Sequence, residues 1–377
     1  AGFSGDGARV LASCVTSNAR AAATALNSKD AKDLAGDIRD GDIKDEAIKL
    51  IESVTEPEES GAAVRGVMFA NFIGGSIASA VVNITQPFMM TLPYLSQWGG
   101  AIKAGGRLVN AARLLASGVD EASDIGKALK RAENEGIVSP QEIHHLYLQK
   151  LALLWSGPFS VAAQFIRQVS FLAAYQTAQA EGMADPFGFA EKAVIETQGL
   201  YNAGNKPNAA RGVMGATAMT FKQYSIHYLE WLARMAKSGP EGKKAAVLAL
   251  ALLVMAAGSD GLPFMDDLDD VFDTVGQAMG YDTNTKRARR EMVASVLGED
   301  MAEVATRGFS AAGGFPVDLS IRMGMGNLLP ATDLLMKSNT DTARSLAEIA
   351  GPGGAMFTQY RDAALALLNG DIGGAVQ

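Results

Sequence analysis

Apolar and polar positions recur along most of this chain at helical spacing, and strand-like alternation is scarce. The strongest pattern is a stretch from Gly66 to Ile102 that contains no Asp, Glu, Lys, Arg or His. Its first part, GVMFANFIGGSIASAVVNIT, would run roughly 30 Å as a helix, the thickness of a hydrocarbon core. Phe69, Ile73, Ile77 and Val81 recur at four-residue spacing, and Asn71, Gly75, Ser79 and Asn83 do so two residues out of phase. At about 100° per residue the two stripes lie on opposite faces. The first suits lipid or an apolar core; the second, of small residues and amides, suits a close helix neighbour or a wet lumen. A buried helix in a bundle and a membrane-inserted helix both fit.

The remaining pattern divides into helices at caps, glycines and prolines. Short surface helices are expected at Ser28 to Asp40 and Asp42 to Ser53, capped by Ser28 and Asp42, followed by a solvated break at Glu56 to Gly61. Pro87 and Pro93 should end the uncharged helix, because proline removes a backbone donor and disfavours helix in the residue before it. A turn and a new helix from about Gln97 should follow. Further helices are expected at Ile102 to Ala116, Glu121 to Asn134, Pro140 toward Trp155, Phe159 to Glu181, and from Asp185-Pro186 to about Tyr201.

Met214, Ala218, Phe221, Ser225, Tyr228, Leu232 and Met235 alternate four- and three-residue spacing, the seam of a long helix with a packed partner. Glu230 and Arg234 are placed to pair on its outside. The next run, AAVLALALLVMAAG, spans only about 21 Å as a helix, so a core helix is favoured over a membrane crossing. An Arg-rich helix (Lys286 to Leu297), Gly- and Met-rich loops to Pro330, and a helical Ser345 to Asn369 broken by GPGG complete the chain. The expectation is an all-α, multi-helix assembly with Gly/Pro-rich loops and no substantial sheet. It divides into 1–60 (short helices), 61–240 (a central helical domain with the uncharged helix) and 241–377 (a C-terminal helical region).

At 377 residues the chain has ample capacity for a core. Its 48% hydrophobic content, with only 7% aromatics, fits helices with large partner-facing or lipid-facing surfaces, so a subunit of an assembly is expected. A net charge of −8 argues against a general nucleic-acid clamp but leaves an acidic wall past which DNA slides. Cys14 stands alone, so no intramolecular disulfide forms and it reads as a small buried hydrophobe. The start at Ala1, with no basic n-region or cleavage pattern, reads as a piece of something longer.

Candidate chemistry is sparse. Asp266, Asp267, Asp269, Asp270 and Asp273 include DDLDD, the DDxxD spacing by which all-helical isoprenoid synthases hold Mg²⁺ and diphosphate. A second acidic motif is needed, and the nearest, Asp341 to Glu348, has the wrong spacing. The alternative is a solvated helix start whose carboxylates meet the macrodipole. Glu142 with His145 forms one ExxH and His227 with Glu230 its reverse, short of a di-metal bundle site. No nucleophile motif or phosphate loop is present. No catalytic residue, cofactor or metal is expected.

Three segments, FANFIGGSIASAVVNITQPFMMTLPYL (69–95), TAMTFKQYSIHYLEWL (217–232) and GGFPVDLSIRMGMGNLLPATDLL (313–335), resemble the carboxy-terminal helical region of large polyvalent proteins of tailed phages. These are the PLxRFG-type proteins, similar in role to the internal virion, or DNA-ejection, proteins of short-tailed phages. The similarity runs from about residue 8 to 370, although the PLxRFG string is absent and so are the enzymatic modules such chains carry upstream. The resemblance implies a non-enzymatic structural fragment, held in the virion interior and then in the host envelope, where it helps form a genome-delivery conduit. It implies a homo-oligomer, other ejection proteins and host membrane as partners, with DNA passing without sequence-specific binding. Under it Asn71, Gly75, Ser79 and Asn83 form a helix-contact or lumen face, and Phe69, Ile73, Ile77 and Val81 a lipid or core face. Lys222, Tyr224, His227 and Tyr228 are interface residues. The alternatives are a helical scaffold or packaging module that stays out of lipid, and an Mg²⁺ enzyme using Asp266 to Asp270.

Overall fold

The computed structural model describes residues 22, 26–55, 77–139, 157–199, 223–281, 283–309 and 311, apart from the side chains of 53–55, 77–79, 157–159 and 223. Among these residues the fold is all-α, with no strand. The helices are α1 (26–36), α2 (Gly41–Thr55), α3 (Ile77–Gln86), α4 (Leu92–Ser96), α5 (Gly100–Ser117), α6 (Asp124–Asn134), α7 (Gly157–Ala180) and α8 (Pro186–Gln198). After them come α9 (Gln223–Lys237), α10 (Pro240–Ala257), α11 (Met265–Ala278), α12 (Thr285–Leu297) and α13 (Glu299–Arg307). Cys14, the break at 56–61, Phe69, Asn71, Ile73, Gly75, the helix expected from Pro140, the ExxH of Glu142 and His145, Met214, Ala218, Phe221 and Lys222 lie outside the described residues. So do residues 312–330 of the expected Gly- and Met-rich loops and the helix expected from Ser345, whereas the start of those loops is helical instead, Glu299–Arg307 forming α13.

α7 is the hub, and its composition explains why. Its 24 residues are apolar almost all round, so it can be buried on several sides, and α3, α5, α6 and α8 pack against it. Val169, Phe171, Leu172, Ala173, Ala174 and Ala178 are buried along it. Alanine forms helix readily and lets neighbouring axes come close, but each alanine buries little area. The larger contributions therefore come from Trp231, Tyr228, Phe171, Met90, Leu95, Leu108 and Leu172, all fully enclosed.

Local signals set several helix starts. The Ser123 side chain accepts from Gly126 N at 3.0 Å, Asp185 Oδ1 from Gly188 N at 2.9 Å, and Asn284 Oδ1 from Arg287 N at 2.9 Å. Two expected caps differ. Asp40, not Asp42, accepts from the backbone at the start of α2, through Asp42 N at 3.0 Å and Ile43 N at 3.2 Å. Ser28 sits inside α1, which is already under way at residue 26.

The prolines do not end the uncharged helix. Between α3 and α4 the chain takes one wide π turn, Pro87–Thr91, in which Leu92 N–H donates to Pro87 O. Widening the coil accommodates the missing proline donor, so the rod continues to Ser96 before turning into α5. The opened turn faces inward: Met89, Met90 and Thr91 are buried on it.

The α9 seam keeps Tyr228 and Met235 of the expected stripe and takes Trp231 in place of Leu232. Tyr228, Trp231 and Met235 are the buried positions, and Leu232 is only partly covered. α10 lies against α9 and α4 through Ala245, Ala249, Leu253 and Ala257. These residues belong to the same core as Leu95 and Phe171. Beyond it, α13 returns to α10 at a backbone-to-backbone contact: Gly258 (φ +68) faces the Thr306 carbonyl, and Gly308 (φ +83) faces that of Ala256. Only glycine fits at either position.

Candidate functional site

The described end of the uncharged stretch is a packed helix. α3 lies on α7, with Ala80 buried, Val81 and Val82 partly buried against the core, and Asn83 also partly covered. Ile77 and Ser79 lie on α3. Among the described residues no helix is long and apolar enough to cross a membrane.

Under the π turn sits a polar cluster that the sequence pattern did not single out. Thr91 Oγ1 meets Ser170 Oγ at 2.9 Å and Thr197 Oγ1 at 3.1 Å, while Gln198 Nε2 donates to Ser170 Oγ at 3.0 Å and to Thr91 Oγ1 at 3.3 Å. Thr197 also donates back to Ala193 O at 2.7 Å. Arg167, only 1% exposed, reaches the Gln198 and Gly199 carbonyls at 3.5 and 3.4 Å, placing a cation at the C-terminal end of α8. The cluster ties the π turn, α7 and α8 together. The available signal was Thr91, Ser170 and Thr197 standing in otherwise apolar helical runs, and that spacing cannot say that three separate helical segments converge.

Two of the expected interface residues, Tyr228 and His227, join helices inside the molecule. Tyr228 hydroxyl donates to Ala249 O at 3.2 Å, linking α9 to α10. His227 Nε2 donates to Glu196 O at 3.2 Å, and Arg234 pairs with Glu196 Oε2 at 3.0 Å, linking α9 to α8. Arg234 therefore turns to a neighbouring helix rather than to Glu230. Burial holds His227 below the ordinary imidazole range, against the opposing effect of its bond to Glu196. Burial also pushes the Tyr224 hydroxyl up to about 12 and raises Tyr94 and Tyr228 further.

The aspartates are not a solvated helix start. Asp267 and Asp269 are buried, and the basic face of α12 meets the cluster. Arg289 forks onto Asp269, with both N–O distances 2.9 Å, and reaches Asp260 at 2.7 Å. Lys286 Nζ lies 2.7 Å from Asp266, and Asp273 accepts from Thr285 N at 2.7 Å and from its hydroxyl. The carboxylates raise the Arg289 pKa, led by its bond to Asp269. Among the described residues no group of three or more His, Cys, Asp or Glu side chains is placed to hold a metal. Spacing alone could not reveal the pairing, because it depends on where α12 lands.

One open groove beside α6 is lined by Glu121, Lys127, Lys130, Arg131, Asn134 and Glu135. Its charges pair with each other, Arg131 with Glu135 at 2.7 Å and Lys130 with Glu121 at 3.9 Å, so it presents no field of one sign. Arg131 also stacks over Phe187, 3.8 Å from the ring centroid. Large apolar side chains also face outward: Val247 and Met255 on α10, Leu268, Val271, Phe272 and Val275 on α11 with Met279 just past its end, Met292, Val296 and Leu297 on α12, Met301 on α13, and Phe309. Among the described residues the chain is an α-helical bundle with polar joints between its helices and a series of exposed large apolar side chains from α10 to Phe309. Comparison with family models, curated proteins and solved structures returned no match.

Proposed function

We propose that this chain is a non-enzymatic structural subunit of a phage internal virion, or ejection, protein, working by helix-to-helix assembly into a genome-delivery conduit at the host envelope. The observation that carries the assembly part is the series of exposed large apolar side chains from α10 to Phe309, the kind of surface that binds a partner. The virion part rests on the resemblance of the three segments at 69–95, 217–232 and 313–335. The internal joints at Tyr228, Arg289 and the Thr91 cluster support a role in which polar groups fix geometry. Absence of disulfide constraint and an alanine-rich core suit a chain that unfolds for passage and refolds afterwards.

A second reading, a scaffold or packaging module that stays out of lipid, is favoured by the lack of any spanning helix among the described residues. Flotation of the purified chain with liposomes separates the two, with Ile77→Asp as control. The conduit reading expects the wild type to float and the variant to lose flotation while keeping its helicity. A wild type that stays at the bottom of the gradient removes the membrane step and leaves the scaffold.

A further inference from the structure

α11 is inverted relative to the usual surface helix. Leu268 (49% exposed), Phe272 (61%), Val275 (53%) and Met279 (70%) form an outward stripe at four-three-four spacing, with Val271 beside them. Asp266, Asp269 and Asp273 centre on the opposite side at about 100° per residue. They are held there by Lys286, Arg289 and Thr285. A helix normally places its apolar stripe on the core. Here the stripe is left open, and the ion pairs fix that orientation.

We propose that this stripe is a contact between two copies of the chain, α11 lying antiparallel on α11 about a two-fold axis. The proposal rests on the reading of the chain as an assembling subunit and names the partner. Three observations select a second copy. First, the half of α11 centred on the stripe, which takes in Phe264, Met265, Val271 and Ala278, carries no charge at about 100° per residue, so two copies meet without like-charge repulsion. Second, a two-fold contact asks a surface to complement only itself, and the four-three-four spacing is the one by which paired helices interlock. Third, with Phe264 and Tyr281 at its ends the patch exposes on the order of 700 Å², close to the roughly 800 Å² each partner contributes to a stable interface. A lipid surface fits less well. Helices that lie in the headgroup region carry basic polar faces, and the polar face of α11 is five aspartates.

The test is cross-linking of the full chain in a Cys14→Ser background, comparing Val275→Cys at the stripe centre with Gln277→Cys on the far side, alongside sedimentation of Phe272→Asp/Val275→Asp. The proposal expects efficient disulfide-linked dimer from Val275→Cys and at least tenfold less from Gln277→Cys, with the double variant sedimenting as a smaller species of unchanged helicity. If the double variant loses helicity, the cysteine pair decides. Self-association with no preference for position 275 overturns this contact and leaves the assembling-subunit reading standing. A chain that neither cross-links nor self-associates overturns both.

Discussion

Arg289 shows how one side chain can decide the orientation of a helix. It satisfies a carboxylate that is almost fully enclosed, Asp269, and a second on the turn before α11, Asp260. Arg289→Ala leaves Asp269 charged and uncompensated, and breaking such a pair costs about 3 to 5 kcal/mol. The expected loss, read from the urea midpoint, is therefore several times that of Arg287→Ala, whose partner Glu291 is an exposed neighbour on the same helix. Arg289→Lys should fall between them, since an ammonium cannot fork.

His227 has a pH signature of known sign. Burial lowers its pKa, so the folded state favours neutral imidazole, while the unfolded chain protonates near the ordinary value of about 6.5. Below that pH the unfolded state holds more protons, and the contribution is lost as pH falls toward the folded pKa. The charged groups around it are Glu196 of α8 and Glu230 and Arg234 of α9. Melting from about pH 7.5 to about 5.5 should cost the wild type more than His227→Gln, with other carboxylates cancelling in the comparison. Equal slopes would show that His227 does not titrate across folding.

At the scale of elements, the most demanding junction is the meeting of α10 and α13. A Cβ at Gly258 would lie 2.2 Å from the Thr306 carbonyl carbon at a backbone angle that side chains disfavour. Gly258→Ala should lower stability by about 2 to 4 kcal/mol and speed hydrogen exchange in α13 more than in α7. Uniform change across both helices would mean that α13 is not a separately opening element.

The same scale separates what was legible in the sequence from what was not. The start of α8 was readable because the Asp185 cap and first-turn Pro186 act within a few residues, whereas α6 begins at Asp124, three residues past the expected Glu121. The all-α class followed from periodicity for the same reason. The passage through Pro87 was not readable, because whether a helix breaks there depends on what packs around the opened turn, and Thr91, Ser170 and Gln198 come from distant segments. On α9 the pattern located a buried stripe but preferred Leu232 to Trp231, since spacing does not weigh the larger area an indole buries. α11 failed most instructively: amphipathicity shows that two faces differ, and only the arrival of Lys286 and Arg289 determines which one turns inward. The Thr91 cluster and the aspartate pairing were illegible for that shared reason.

Across the described residues as a whole, charged joints between helices stand beside a series of exposed apolar side chains. Ion pairs sit between helices, as at Arg234–Glu196 and Arg289–Asp269, while large apolar side chains occupy the rim from α10 to Phe309. The core is rich in alanine, and under the proposed assembly association adds to the stability of the bundle. Melting temperature should accordingly rise with protein concentration, where an isolated monomer would show none.

The central claim is that this surface is built for apolar company. Light scattering on the eluting full chain, at micromolar to tens-of-micromolar concentration, measures it most directly. The account predicts a mass that is a multiple of the 39.4 kDa chain and falls on dilution. A single 39.4 kDa species over the whole range, unchanged when liposomes are added, would contradict it.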